Sequence, residues 1–129
     1  MHLRPALLAL LAVPLLLGGC VRYTIRDDGI TRARFGETAV VDGPKVTPLS
    51  LVEDSRCPTT VQCISAGRVR VSLRIDLGAG SETRDFTLGE PQQVADGTLT
   101  LVEVMPLRRD VVTLYPEDYR FGFTFAGGL

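Results

Sequence analysis

The chain has 129 residues, with 14 Lys+Arg against 15 Asp+Glu, one His, three Cys and no Trp, for a net charge of −1. That length suits one domain. The sole histidine is His2 and the sole lysine is Lys45. Beyond the N-terminus this excludes His-based acid–base or triad chemistry, His-containing zinc sites and a Lys-rich nucleic-acid patch. We expect no cofactor, no metal and no nucleic-acid partner. Residues 1–19 begin with a basic Arg4 and continue as an apolar run over 6–17, broken by Pro14. A bilayer span needs about 20 apolar residues. The run is too short for that and has the form of a secretory signal peptide.

The leader ends Leu17-Gly18-Gly19-Cys20, which resembles the bacterial lipobox, with Gly18 where Ala or Ser is more usual. The resemblance implies cleavage before Cys20 and transfer of a diacylglyceryl group, carrying chains such as palmitate, to its thiol. Two or three chains, each worth about 0.8 kcal/mol per buried methylene, make a stable anchor. Val21 follows in place of the retention signal Asp, which implies the outer membrane, with the protein facing the periplasm. Lipidating Cys20 leaves Cys57 and Cys63 as the remaining thiols. In an oxidising compartment a disulfide between them is the default, worth about 2.4 kcal/mol in the loop-entropy account.

Residues 20–34 read as the lipidated tether: polar, mixed, without helical period, with a short strand at 22–26 and a turn at Asp28-Gly29. A β-domain is expected over 35–129. Asp42-Gly43-Pro44 separates segments 36–41 and 45–53. Over 68–77, Val69, Val71, Leu73, Ile75 and Leu77 alternate with polar residues, the pattern of a half-buried antiparallel strand. Residues 78–81 suit a hairpin turn into 82–88, where Phe86 and Leu88 share a face. The alternation of 98–105 slips near Val102, as a bulge makes it do. Tyr119, Phe121, Phe123 and Phe125 alternate again and read as core. About seven short strands at this spacing predict a single all-β sandwich, immunoglobulin-like in the broad sense, with a small β-barrel as the alternative.

The segment Asp54-Ser55-Arg56-Cys57-Pro58, followed by Val61, Cys63, Ala66 and Gly67, resembles the D-S-R-C-P-x-x-V-x-C-x-x-A-G motif of small bacterial lipoproteins of uncharacterised activity. Leu101-x-x-Val104-x-Pro106 and Tyr119-x-Phe121-x-Phe123 fit the same picture, and Ser65 departs from it where an aromatic would stand. The resemblance implies a fold and no mechanism. Physically, Pro58 ends a strand, and Gly67 supplies a positive φ. Asp54 and Arg56 form a pair, or Asp54 and Ser55 cap loop amides. The segment is a structural staple or, alternatively, a binding loop on a rigid scaffold.

Arg68, Arg70 and Arg74 share the polar face of the 68–77 strand. They form an anion- or partner-reading row, or a solvated face paired across strands with Glu82 or Asp85. Without a nucleophile–base couple, the expected role is non-enzymatic binding or structural support in the envelope, with an envelope protein or anionic glycan as partner. The alternatives are an accessory or inhibitor module for another envelope protein, and a small Asp/Glu- or Ser-dependent hydrolase.

Overall fold

A computed structural model describes residues 27–108 and 113–127. The expected signal peptide, the expected lipidation site Cys20 and the strand expected at 22–26 lie outside the described residues. Eight strands follow in order: β1 Thr31–Ala33, β2 Ala39–Val40, β3 Lys45–Asp54, β4 Val69–Asp76, β5 Ser81–Thr87, β6 Gln92–Val94, β7 Gly97–Met105 and β8 Arg120–Gly127. One single-turn 3-10 helix, Pro116–Asp118, precedes β8. The strands form two antiparallel four-stranded sheets, ordered β1-β8-β7-β6 and β2-β3-β4-β5. This is the expected sandwich; among the described residues no strand joins the sheets into a barrel.

The alternation in β4 does what period two requires. Val69, Val71, Leu73 and Ile75 are fully buried on the inner face. They meet Leu99 and Leu101 of β7 and Phe121 and Phe123 of β8 in one core cluster, with Phe86 of β5. Leu77, expected on this face, is 40 % exposed because β4 ends at Asp76 and the chain turns toward Ser81. Phe125, also expected in the core, is only partly buried against it. The slip near Val102 is a register shift between Leu101 and Glu103. It leaves Val102 outside and returns Val104 to the core.

Three features differ from the sequence reading. Segment 36–41 forms strand only at Ala39–Val40. Thr31–Ala33, placed in the tether, is an edge strand paired with β8, and its Ala33 is buried. Finally, β3 carries two register shifts, between Pro48 and Ser50 and between Leu51 and Glu53. Leu49 and Val52 are the extra residues, and the shifts bring Leu51 and Asp54 opposite buried Val71 and Val69. A carboxylate thereby enters the sandwich edge.

The edges are tied across the sheets at β5 and β6, where Arg84 Nη1 donates to Gln93 O (2.8 Å) and Gln92 Nε2 to Asp85 O (2.7 Å). Phe123 is completely buried where β8 is flanked by β1 and β7. Phe123→Ala should therefore cost about 3–5 kcal/mol, read as a lowered urea midpoint at unchanged slope.

Candidate functional site

The Asp54–Gly67 segment is built on a part-buried ion pair at the end of β3. Arg56 grips Asp54 bidentately, Nε to Oδ1 and Nη2 to Oδ2, both at 2.9 Å. The Arg56 and Asp54 side chains are 13 % and 5 % exposed respectively. The Tyr119 hydroxyl donates to Asp54 Oδ2 at 2.7 Å. The free side of the guanidinium reaches the other sheet, with Nη1 donating to the carbonyls of Val104 and Pro106 at 3.1 Å each. Arg108 Nη1 donates to Asp54 O at 3.0 Å. One charged pair thus joins β3, the end of β7 and the start of β8.

Burial raises the Asp54 carboxyl pKa, but the hydrogen bonds from Arg56 and Tyr119 and the Arg56 charge outweigh it, and the net shift is downward. Asp54 in turn holds the Arg56 pKa up against desolvation. Tyr119 is pushed up to about 12, first by burial and then by the adjacent carboxylate. Asp54 therefore stays ionised with both oxygens occupied, and Tyr119 stays protonated. Neither is free to move a substrate proton. Both sequence readings of this segment hold together: Asp54 pairs with Arg56, and its Oδ1 also accepts the Arg56 amide at 3.4 Å.

The loop beyond this pair is closed in three steps. Ser55 N donates to Arg68 O (2.9 Å), while Arg68 N donates to Ser55 Oγ (3.0 Å). Cys57 N donates to Ala66 O (3.1 Å). Cys57 and Cys63 are disulfide-bonded with Cα atoms 5.9 Å apart. Pro58 O accepts from Val61 N, and Thr59 N donates to Arg108 O. Gly67 has φ +69°, and a Cβ there would lie 1.8 Å from Ser55 O. Two independent constraints reserve the position for glycine. Outside this base the loop is exposed: Val61 is 47 % accessible, Ile64 fully so, and Ser65 is exposed as well.

Arg68, Arg70 and Arg74 do share one face, and each meets a carboxylate: Glu53 at 2.7 Å, Asp85 at 3.3 Å and Asp76 at 3.4 Å respectively. Of the two carboxylates expected opposite the row, only Asp85 serves. Glu82 has the same parity as buried Phe86, faces inward at the edge, and pairs with Arg84 instead. Among the described residues no group of three His, Cys, Asp or Glu side chains is placed to hold a metal.

Concavities flank the sheets. A cleft of about 860 Å³ at the turn end includes Lys45, Arg74, Asp42, Asp76 and Asp96. A narrower apolar groove of about 330 Å³ runs between Phe35, Leu49, Leu51, Leu114, Pro116 and Tyr119. Tyr119 and Arg108, read as packing or not singled out in the sequence, are the unforeseen members of the ion-pair site. The position of Tyr119 at the head of an aromatic run gave no hint of its hydroxyl's partner. Comparison with family models, with curated proteins and with solved structures returned no match.

Two outcomes follow from this geometry. Gly67→Ala should destabilise by about 3 kcal/mol or more, since strain and backbone collision add. Ser65→Ala in the same loop should leave the urea midpoint unchanged. For pH, Tyr119 is raised from 10.0 to about 12 on folding, so its contribution is complete below pH 10 and is lost as pH rises toward 12. Asp54 works in the opposite sense: its folded pKa is depressed, so its contribution exists above the unfolded value of about 3.9 and is lost as pH falls through the folded one. Tyr119→Phe should remove the alkaline slope in urea titrations and cost about 1.5–3 kcal/mol at neutral pH, as a lost bond to a charged group.

Proposed function

We propose that the protein is a cell-envelope lipoprotein, anchored through acyl chains on Cys20, whose sandwich serves a non-enzymatic binding or structural role in the periplasm. The observation that carries this reading is the contrast between the base and the tip of the 55–68 loop. Its base is locked by the Asp54–Arg56 pair, the Ser55–Arg68 bonds and the disulfide. Its tip presents Val61 and Ile64 to solvent. A loop held rigidly at its base loses little conformational freedom when it meets a partner, which favours recognition. The disulfide agrees with an oxidising compartment. The short apolar leader and the small residues before Cys20 supply the route there. An envelope protein is the partner class that suits an apolar loop tip. The arginine row, with a carboxylate beside each member, gives an anionic glycan less to hold.

Labelled palmitate should enter the wild-type protein in growing cells and be absent from Cys20→Ala. Label persisting in that variant, or none in the wild type, would remove the anchor from this reading.

A further inference from the structure

We propose that the cleft at the turn end of the sandwich is a second binding site, for a neutral oligosaccharide. It lies at the opposite end from the 55–68 loop, because β3 runs from Lys45 at the cleft to Asp54 at the loop base. The site therefore stands independently of the loop reading. Its volume of about 860 Å³ falls in the range of small-molecule sites, about 300–1,000 Å³.

Two apolar side chains with the parity of the core line this cleft. Leu77 continues the alternation of β4 and Phe125 that of β8, yet Leu77 is exposed and Phe125 only partly buried. The Phe125 ring is seated among glycines. A Cβ on Gly97 would lie 2.6 Å from its Cζ, and Cβ atoms on Gly43 and Gly127 would reach its Cε1 at 3.7 and 3.6 Å. The turns beside the ring hold an uncommon backbone. Asp42 and Ala95 have φ +47° and +51°, left-handed values that side chains adopt at a cost, and both line the cleft. Ala95 opens the two-residue turn between Val94 and Gly97, a place where glycine is usual.

The polar groups of the cleft select the ligand. Arg74 and Asp76 neutralise each other at 3.4 Å. Among the described residues, no ion pair or side-chain hydrogen bond engages Lys45, Asp42 or Asp96, which also line the cleft. An ammonium offers three donors and no acceptor, and a carboxylate offers acceptors alone. An anion would serve Lys45 and be repelled by two aspartates, and a cation would serve the aspartates and be repelled by Lys45. A hydroxyl both donates and accepts. A sugar ring with adjacent hydroxyls therefore satisfies both kinds of group through charge-assisted bonds, while its C–H face meets Phe125 and Leu77. A saccharide is the class of ligand that uses all of these at once.

An NMR titration of the isotope-labelled full chain, kept in a detergent without a sugar head group, tests this. The probes are the tetrasaccharides of N-acetylglucosamine and of glucose, which separate recognition of acetamido groups from that of hydroxyls alone, with triglycine as a zwitterionic peptide control. At least one saccharide should shift the amides of Asp42, Lys45, Asp96 and Phe125 saturably and leave those of Val61 and Ile64 in place. Lys45→Ala and Asp96→Ala, both at exposed positions, should each weaken that binding about tenfold or more, the worth of one hydrogen bond to a charged group. Their urea midpoints should match the wild type. Phe125→Leu, which keeps an apolar filling and removes the flat ring, should weaken binding as well. No shift at the cleft with either saccharide would overturn the proposal, and so would shifts that persist undiminished in the Lys45 and Asp96 variants. Shifts with triglycine alone would assign the cleft to peptide ends and overturn it too.

Discussion

The clasp between the two sheets turns on a carboxylate and a guanidinium drawn partly out of water together. Desolvating two charges costs several kcal/mol each, which mutual attraction offsets only when the geometry is close and the remaining donors and acceptors are filled. Asp54 and Arg56 meet that condition. Two parallel bonds join them, Tyr119 occupies the second carboxylate oxygen, and the carbonyls of Val104 and Pro106 take the last guanidinium donor group. The arrangement serves position more than net stability. It sets the distance between the two sheets at one end and points the chain after Arg56 outward into the disulfide loop. Removing Arg56 alone would strand a buried negative charge, a different perturbation from replacing the whole pair by apolar side chains.

That pair is reachable only because β3 is irregular. Across a regular ladder Asp54 would fall two residues further along its neighbour; the shifts at Leu49 and Val52 bring it opposite Val69 instead. The same shifts leave Leu49 and Val52 exposed and give Leu51 to the groove. One distortion therefore generates both the polar clasp and the apolar channel beside it. Bulges next to functional surfaces re-aim side chains in this way. The loop base and the groove are coupled through one strand, and both contain Tyr119.

What could be read from the sequence divides along physical lines. Period-two burial in β4, the slip in β7 and the aromatic alternation in β8 are local signals, and they returned the sandwich and most strand positions. The role of Gly67 and the joining of Cys57 to Cys63 were legible because backbone sterics and redox chemistry restrict them to few outcomes. Three kinds of feature were not. The two bulges in β3 went unread, because only the bounds of segment 45–53 were taken from its flanking breaker. Glu82 seemed available to the arginine row until strand parity put it on the opposite face. Partners more than 45 residues away, such as Val104, Pro106 and Tyr119 for the Asp54–Arg56 pair, leave no spacing to detect.

The charge pattern limits how this surface can recognise anything. Arg32, Arg56, Arg68, Arg70, Arg74 and Arg84 each stand against a carboxylate. At physiological salt, fields from such neutralised pairs fade within about 8 Å. They give little long-range steering and, at the exposed positions, about 0–1 kcal/mol each. Around these six arginines, shape and apolar contact therefore count for more than charge. Two places on the described surface offer those, the stapled loop with Val61 and Ile64 and the groove between Phe35 and Leu51. They differ in what they ask of a partner. The loop is closed on itself by backbone bonds and a disulfide, so what it presents outward is side chains. The groove borders an open sheet edge, which also demands a strand's worth of backbone donors and acceptors.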